Sequence, residues 1–242
     1  MSLSQPRSVA PSLSLGSSSA LVDSSLAAAA PLQAHSSVPH WAMGTEASVL
    51  PRIYEDTITI SVLQRALPAV LASSAQAQCH SERLWSFQWL GPANTDMKQA
   101  LLRSLPAAEQ ATALIDDVLL LTEAMGMLFD TDSLGVRLRL MNAAMCPRFH
   151  CDKLPVRMVT TYVGAGSEWL PEFAVNRQGL GAPTPDKPDV LREPSAIREL
   201  APGDLALLKG DGWAGNEGRG LVHRSPAMAS GGRRLLLTID PA

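Results

Sequence analysis

The chain has 242 residues, 46% of them apolar and 18% charged, with a formal net charge of −3. That length can bury a sizeable core; the balance of charge lacks the basic footprint of a dedicated nucleic-acid binder. No apolar run reaches the ~18–20 residues that a membrane span needs, and three cysteines (Cys79, Cys146, Cys151) are too few for a disulfide framework, which favours a reducing, cytoplasmic setting.

Residues 1–48 read as a disordered Ser/Ala-rich leader with Arg7 as its only Lys or Arg, and without the basic-then-apolar pattern of a secretory signal. Residues 49–242 read as one domain, helical over 49–130 and β-rich over 131–242. In "IYEDTITISV" (53–62), Ile58, Ile60 and Val62 alternate with polar residues, which predicts a first strand. "SVLQRALPAVLASSAQAQ" then reads as a helix that Pro68 kinks or divides. The aromatic stretch "WSFQWLGPANTD" ends in turn chemistry, with Thr95 or Asp96 as the cap of a helix over 96–105. A longer helix over 107–129 gathers Ala111, Leu114, Ile115, Val118, Leu121, Met125 and Leu128 on one face.

After Asp130 the period changes from helical to alternating. "LGVRLRLMN" sets Val136, Leu138 and Leu140 on one face and Arg137, Arg139 and Met141 on the other. Strands follow at 156–163 and 204–209, and again in "RGLVHRS" and "RRLLLTID", with a Pro-rich connection before the second of these. Short strands divided by Gly/Pro turns predict an α+β chain whose second half is a sandwich or barrel rather than a set of βαβ units.

His150 and Asp152, two apart before an apolar strand, project to the same side. An imidazole and a carboxylate grip one divalent cation, and a third ligand that leaves positions open specifies a non-haem Fe(II) oxygenase site. His35 and His40 lie in the leader and His80 in a helix-rich region, so His223 remains, 71 residues after Asp152. Only a fold that returns to its start unites them, as a jelly roll does. Arg233 and Arg234 open the last strand, and either guanidinium suits an anionic co-substrate. Arg137 and Arg139 are an alternative carboxylate clamp or exposed edge residues. Glu168 and Trp169 follow a Gly164-x-Gly166 turn and are candidates for a pocket mouth; Trp169 equally suits a plug at the barrel end. Cys146, His150 and Cys151 lack the paired spacing of a structural zinc site.

These residues in this order resemble the 2-oxoglutarate/Fe(II)-dependent oxygenases, whose pattern is His-x-Asp, a distal His and an Arg about ten residues later. "RLRLMNAAMCPRFHCD", "VRMVTTYVGAGSEWL" and "LAPGDLALLKGD" are similar to the strands and turns around that site. His223, Ser225, Ser230 and Arg234 resemble the phytanoyl-hydroxylase-like branch, which favours Arg234 over Arg233. Over roughly 50–242 the sequence is most similar to the bacterial family called domain of unknown function 1826. The resemblance implies a double-stranded β-helix with Fe(II) held by His150, Asp152 and His223, with Zn or Mn as alternative metals. It implies 2-oxoglutarate bound by Arg234 or Arg233, with Ser225, Tyr162 and Asn142 as further contacts. A substrate pocket would involve Glu168, Trp169 and Arg139. The expected partner is a small-molecule or peptide substrate, with neither nucleic acid nor membrane. The competing readings are a cupin-like metal-binding or sensing module without oxygenase activity, and a silent scaffold.

Overall fold

The computed structural model describes residues 39–242. In chain order the strands and helices are β1 (Trp41–Gly44), β2 (Ile60–Leu63), α1 (Ala69–Cys79), β3 (Ser86–Leu90), α2 (Thr95–Ser104), α3 (Thr112–Phe129), β4 (Leu134–Met141), β5 (Val156–Val163), β6 (Glu168–Trp169), β7 (Arg198–Glu199), β8 (Leu205–Lys209), β9 (His223–Arg224) and β10 (Arg234–Pro241). They form an α+β structure with two sheets: seven strands in the order β1-β2-β8-β5-β10-β4-β3, and three in the order β7-β6-β9. Within the larger sheet every pairing is antiparallel except β1 with β2. No described helix is long and apolar enough to cross a membrane.

Strand alternation divides the larger sheet into two chemistries. One face carries Val136, Leu138 and Leu140 of β4, Met158 of β5, Leu207 of β8, and Leu235, Leu237 and Ile239 of β10. It packs against Leu114, Ile115, Val118 and Met125 of α3. Burying each such side chain contributes about 1.5–3 kcal/mol, so this helix–sheet layer is the principal core. The opposite face joins Ile60, Val62, Val159, Ala206 and Leu208 to Trp169 of the small sheet, and it also bears Arg137, Arg139, Arg157, Arg234 and Asp240. Polar residues cluster on the second face because it holds the site.

Local chemistry sets the element ends. Pro68 divides the expected long helix: residues 60–63 are strand, and α1 begins directly after the proline. Asn94, rather than Thr95 or Asp96, caps α2, its side chain accepting from the Met97 amide at 2.9 Å. The expected strand over 53–62 is confined to its end. Residues 47–54 form 3-10 turns around Pro51, burying Val49, Leu50 and Ile53, because proline removes a ladder donor.

Two expectations about organisation need correction. Residues 39–48 were assigned to the leader, yet Trp41–Gly44 forms β1, paired with β2 and with Ala42 buried; four residues are too short to show a period. The rest of the leader, residues 1–38, lies outside the described residues. The split into helices before 131 and strands after it is also too sharp, since β1, β2 and β3 complete both ends of the large sheet.

The turn into β6 is a point of close approach. A Cβ on Gly166 would collide with the Leu200 carbonyl oxygen, next to the Leu200 amide that donates to Ser167 at 3.0 Å. Gly231 has φ +75° but open space around its Cβ position. Gly166→Ala should therefore destabilise by about 3 kcal/mol, the upper end for overpacking, and Gly231→Ala by about 1 kcal/mol, the backbone cost alone. Urea unfolding of both variants checks the order.

Candidate metal centre

His150 reaches the site through the backbone. After β4 the chain turns through residues 142–149, and the amides and carbonyls of His150 and His223 then bond reciprocally, each at 3.0 Å. This bridge adds His150 to the outer edge of the small sheet beside β9, whose own neighbour β6 sets Trp169 opposite His223. The His150 and His223 rings lie 4.5 Å apart, centroid to centroid.

Each imidazole is fixed by its second nitrogen. Nδ1 of His150 is 2.9 Å from the Arg148 carbonyl oxygen, and Nδ1 of His223 is 3.2 Å from that of Leu221. A carbonyl only accepts, so these contacts assign the proton to Nδ1 and leave the Nε2 lone pairs free, as in ligating histidines. The His150 Nε2 stands 3.7 Å from Asp152 Oδ1, and the His223 Nε2 stands 3.7 Å from Oδ2. These gaps are too long for hydrogen bonds but suit donors that share one ion about 2.1 Å from each. Among the described residues this is the only set of three His, Cys, Asp or Glu side chains so arranged. Burial pushes His223 down to about 4, with the Asp152 charge opposing, so its imidazole is neutral and available to a cation at ordinary pH.

Arg157 and Asp240 complete the support, and neither stands out in the sequence. Arg157 donates from Nη1 to Asp152 Oδ2 at 2.8 Å, and from Nε and Nη2 to the two oxygens of Asp240 at 2.7 and 2.9 Å. Burial works against its charge, but Asp240 and Asp152 outweigh it and hold the guanidinium above its usual value. The legible signal was a charged residue at an inward position of an apolar strand, in "VRMVTTYV" and again in "LLLTID".

Arg234 lies on the same face, only 1% exposed. Its Nη2 donates to Thr161 Oγ1 at 3.2 Å and Ser167 Oγ at 3.0 Å, while Nε has no partner. Burial pushes it down to about 10, opposed by the charge of Glu199. An arginine buried without a carboxylate is costly. Arg233 has the opposite parity, and its charge is felt at Cys79 of α1.

The other candidates fall elsewhere. Tyr162 turns to the helical face, where its hydroxyl donates to Asp117 at 2.7 Å and Asp117 is paired twice with Arg65; its expected co-substrate contact is corrected on that ground. Asn142 is exposed and lines a surface groove with Trp85, Gln88, Arg139 and Met145. Ser225 is buried, and its hydroxyl accepts from the Cys146 amide at 3.3 Å, tying down the loop before His150. Glu168 pairs with Arg224 at 2.6 Å. Trp169 is 2% exposed and packs on Trp41, as a plug does. Arg139 lines a small cavity beside Arg157. Cys151 donates to the Gly220 carbonyl, and burial pushes it up to about 11, the behaviour of a structural thiol.

Removing the guanidinium that orients Asp152 should weaken divalent metal binding about 10- to 100-fold; calorimetry of Arg157→Met with Mn(II) checks this. The metal-free protein should also lose stability as pH falls from 6.5 towards 4. Across that window an unfolded His223 takes up a proton that the native one, with its value near 4, refuses. His223→Gln removes this titration and should flatten the loss, which thermal unfolding at several pH values measures.

Among solved structures the chain is similar to the Arabidopsis thaliana dioxygenase for auxin oxidation 1 in complex with 2-oxoglutarate, at 9% identity and a TM-score of 0.48, covering 85% of this chain and 92% of that one. It is also similar to a rice dioxygenase for auxin oxidation, at 15% identity and a TM-score of 0.45, covering 76% and 73%. A Pseudomonas putida prolyl-4-hydroxylase matches at 16% identity and 0.41, over 80% and 96%. At such values the site must be read from its own geometry. No curated protein sequence matches. The model of one family, described as a protein of unknown function (DUF1826), matches residues 44–240, and the chain belongs to that family.

Proposed function

We propose that the protein is a non-haem Fe(II)/2-oxoglutarate-dependent dioxygenase that hydroxylates a small organic substrate. The observation that carries this reading is the convergence of His150, Asp152 and His223, with both Nε2 atoms free and a buried, carboxylate-free Arg234 on the neighbouring sheet face. Two imidazoles and one carboxylate suit a divalent first-row metal, and iron is the choice when open positions must take a co-substrate and O₂.

The strand sequence supports a double-stranded β-helix. From β4 onwards the chain crosses between the sheets at every step but β6 to β7, with β4, β5, β8 and β10 in the large one and His150, β6, β7 and β9 in the small one. That is the pattern of a jelly roll, and it brings the ligands from distant strands to one end.

In this reading His150 and His223 hold Fe(II) through Nε2 and Asp152 through a carboxylate oxygen. The bound metal supplies O₂ activation: 2-oxoglutarate and O₂ yield succinate and CO₂ while a substrate C–H bond becomes C–OH. The chain's own residues bind and orient. Arg234 takes the distal carboxylate of 2-oxoglutarate through its uncommitted N–H groups, with the Thr161 and Ser167 hydroxyls beside it. Arg157 holds Asp152 in its ligating rotamer, Trp169 backs His223, and the apolar cluster around Val159 and Leu208 excludes water.

Fe(II)-dependent release of succinate from 2-oxoglutarate tests the reading. Wild type should turn over, His223→Ala should be inactive, and Arg234→Met should raise KM for 2-oxoglutarate about 10- to 100-fold, the loss of a charge-assisted contact. Retained metal binding without succinate release would overturn the oxygenase reading and leave a metal-binding module. Failure to bind any divalent metal would overturn both.

A further inference from the structure

Next to the triad, on the same sheet face, lies a cavity of about 130 Å³ lined by Arg137, Arg139, Met145, Arg157, Leu236 and Thr238. Three guanidinium groups around so small a space repel one another unless each is matched. Two are. Asp240 accepts from Arg157 twice and from Arg137 at 2.6 Å, and Asp152 takes the remaining arm of Arg157. Arg139 has no carboxylate among the described residues. Its one side-chain hydrogen bond among the described residues is to the Met145 sulfur at 3.0 Å, a weak acceptor.

Of the three arginines, Arg139 alone has no carboxylate partner among the described residues. The position is fixed by the sheet, since Arg139 stands between Leu236 of β10 and Ser86 of β3. It therefore faces the space bordered by Thr238 and by Arg157, the residue that touches the metal ligand. The co-substrate's arginine is separate: Arg234 reaches across to Thr161 of β5, whereas Arg139 is directed to the loop that leads into His150.

We propose that Arg139 anchors a carboxylate of the substrate, so that the protein acts on a small organic acid. A guanidinium fork matches the two oxygens of a carboxylate in one plane. Leu236 and Met145 offer the apolar contact that the carbon chain of such an acid needs, and the Thr238 hydroxyl supplies a further polar contact. The proposal rests on the oxygenase reading for its chemistry, although the anion site is testable without it.

The test uses the full chain loaded with Mn(II), which binds without turnover, with and without 2-oxoglutarate. Acetate, isovalerate and benzoate are compared with their neutral amides by calorimetry. At least one acid should bind wild type tenfold or more tighter than its amide. Arg139→Met should lose that preference while its affinity for 2-oxoglutarate stays within twofold, and Arg139→Lys should restore part of it. Arg234→Met should do the reverse, losing 2-oxoglutarate and keeping the acid. No preference for any acid over its amide, or a preference untouched by Arg139→Met, overturns the proposal. So does loss of 2-oxoglutarate in Arg139→Met, which would make Arg139 the co-substrate's anchor. Wild type that binds an acid through Arg139 but never binds 2-oxoglutarate would instead sink the oxygenase reading and leave the anion site standing.

Discussion

Everything at the site depends on one pair of backbone hydrogen bonds, the reciprocal N–H to C=O contacts between His150 and His223. They close a stretch of 73 residues, and the entropy of that closure must be recovered elsewhere. The recovery comes from β5, β8 and β10, which lie side by side in the large sheet and bury their aliphatic residues in the helix–sheet core. The bridge is made by main chain, so the imidazoles are spared for ligation, and each ring is then oriented by a carbonyl two residues before it. A metal site built in this way is preorganised by sheet geometry rather than by contacts between the ligands themselves.

Charge compensation is the second constraint, and it runs through Arg157. This residue sits across from Asp240 on the neighbouring strand and beneath Asp152 in the loop before β5. Its three arms tie the large sheet to the ligand. Without Arg157 the two carboxylates would face each other with one fewer cation between them. Without Asp240 the guanidinium would be partly desolvated against a single carboxylate, and like charges from Arg137 and Arg139 would crowd it. The network also explains why the sheet face next to the triad tolerates so many arginines. Arg137 and Arg157 each have a carboxylate, and Arg139 and Arg234, which have none among the described residues, are the two that the proposed anions would match.

The sequence carried much of this, unevenly. Strand alternation in "LGVRLRLM" and "VRMVTTYV" put β4 and β5 within one or two residues of their observed bounds, because a half-buried strand writes its two faces into its residues. The triad was legible because the ligand types are few and only one histidine remained to pair with His150 and Asp152. What failed was whatever depended on contacts across the fold. Tyr162 looked like a pocket residue until its partner Asp117 appeared on α3, 45 residues earlier. β1 escaped for a similar reason: a four-residue edge strand has no period to read. Arg157 was hidden by its setting, since a lone arginine in an apolar strand does not announce which two aspartates it will meet.

The two arginines without carboxylates, Arg139 and Arg234, stand in different environments on the same sheet face. Arg234 is almost fully buried and is satisfied only by hydroxyls, which are poor substitutes for a carboxylate at a desolvated guanidinium. Retaining such a group costs stability unless a ligand repays it, and a dicarboxylate that also reaches the metal would do so. Arg139 is half-buried and still wetted, so its cost in the free protein is small and it need not be filled to keep the fold. A tightly held co-substrate suits the first environment, and an exchangeable substrate suits the second. Two arginines on adjacent strands thus differ in burial, Arg234 almost fully buried and Arg139 half-buried beside Arg157, and the proposed division between a resident and an exchangeable anion follows that difference.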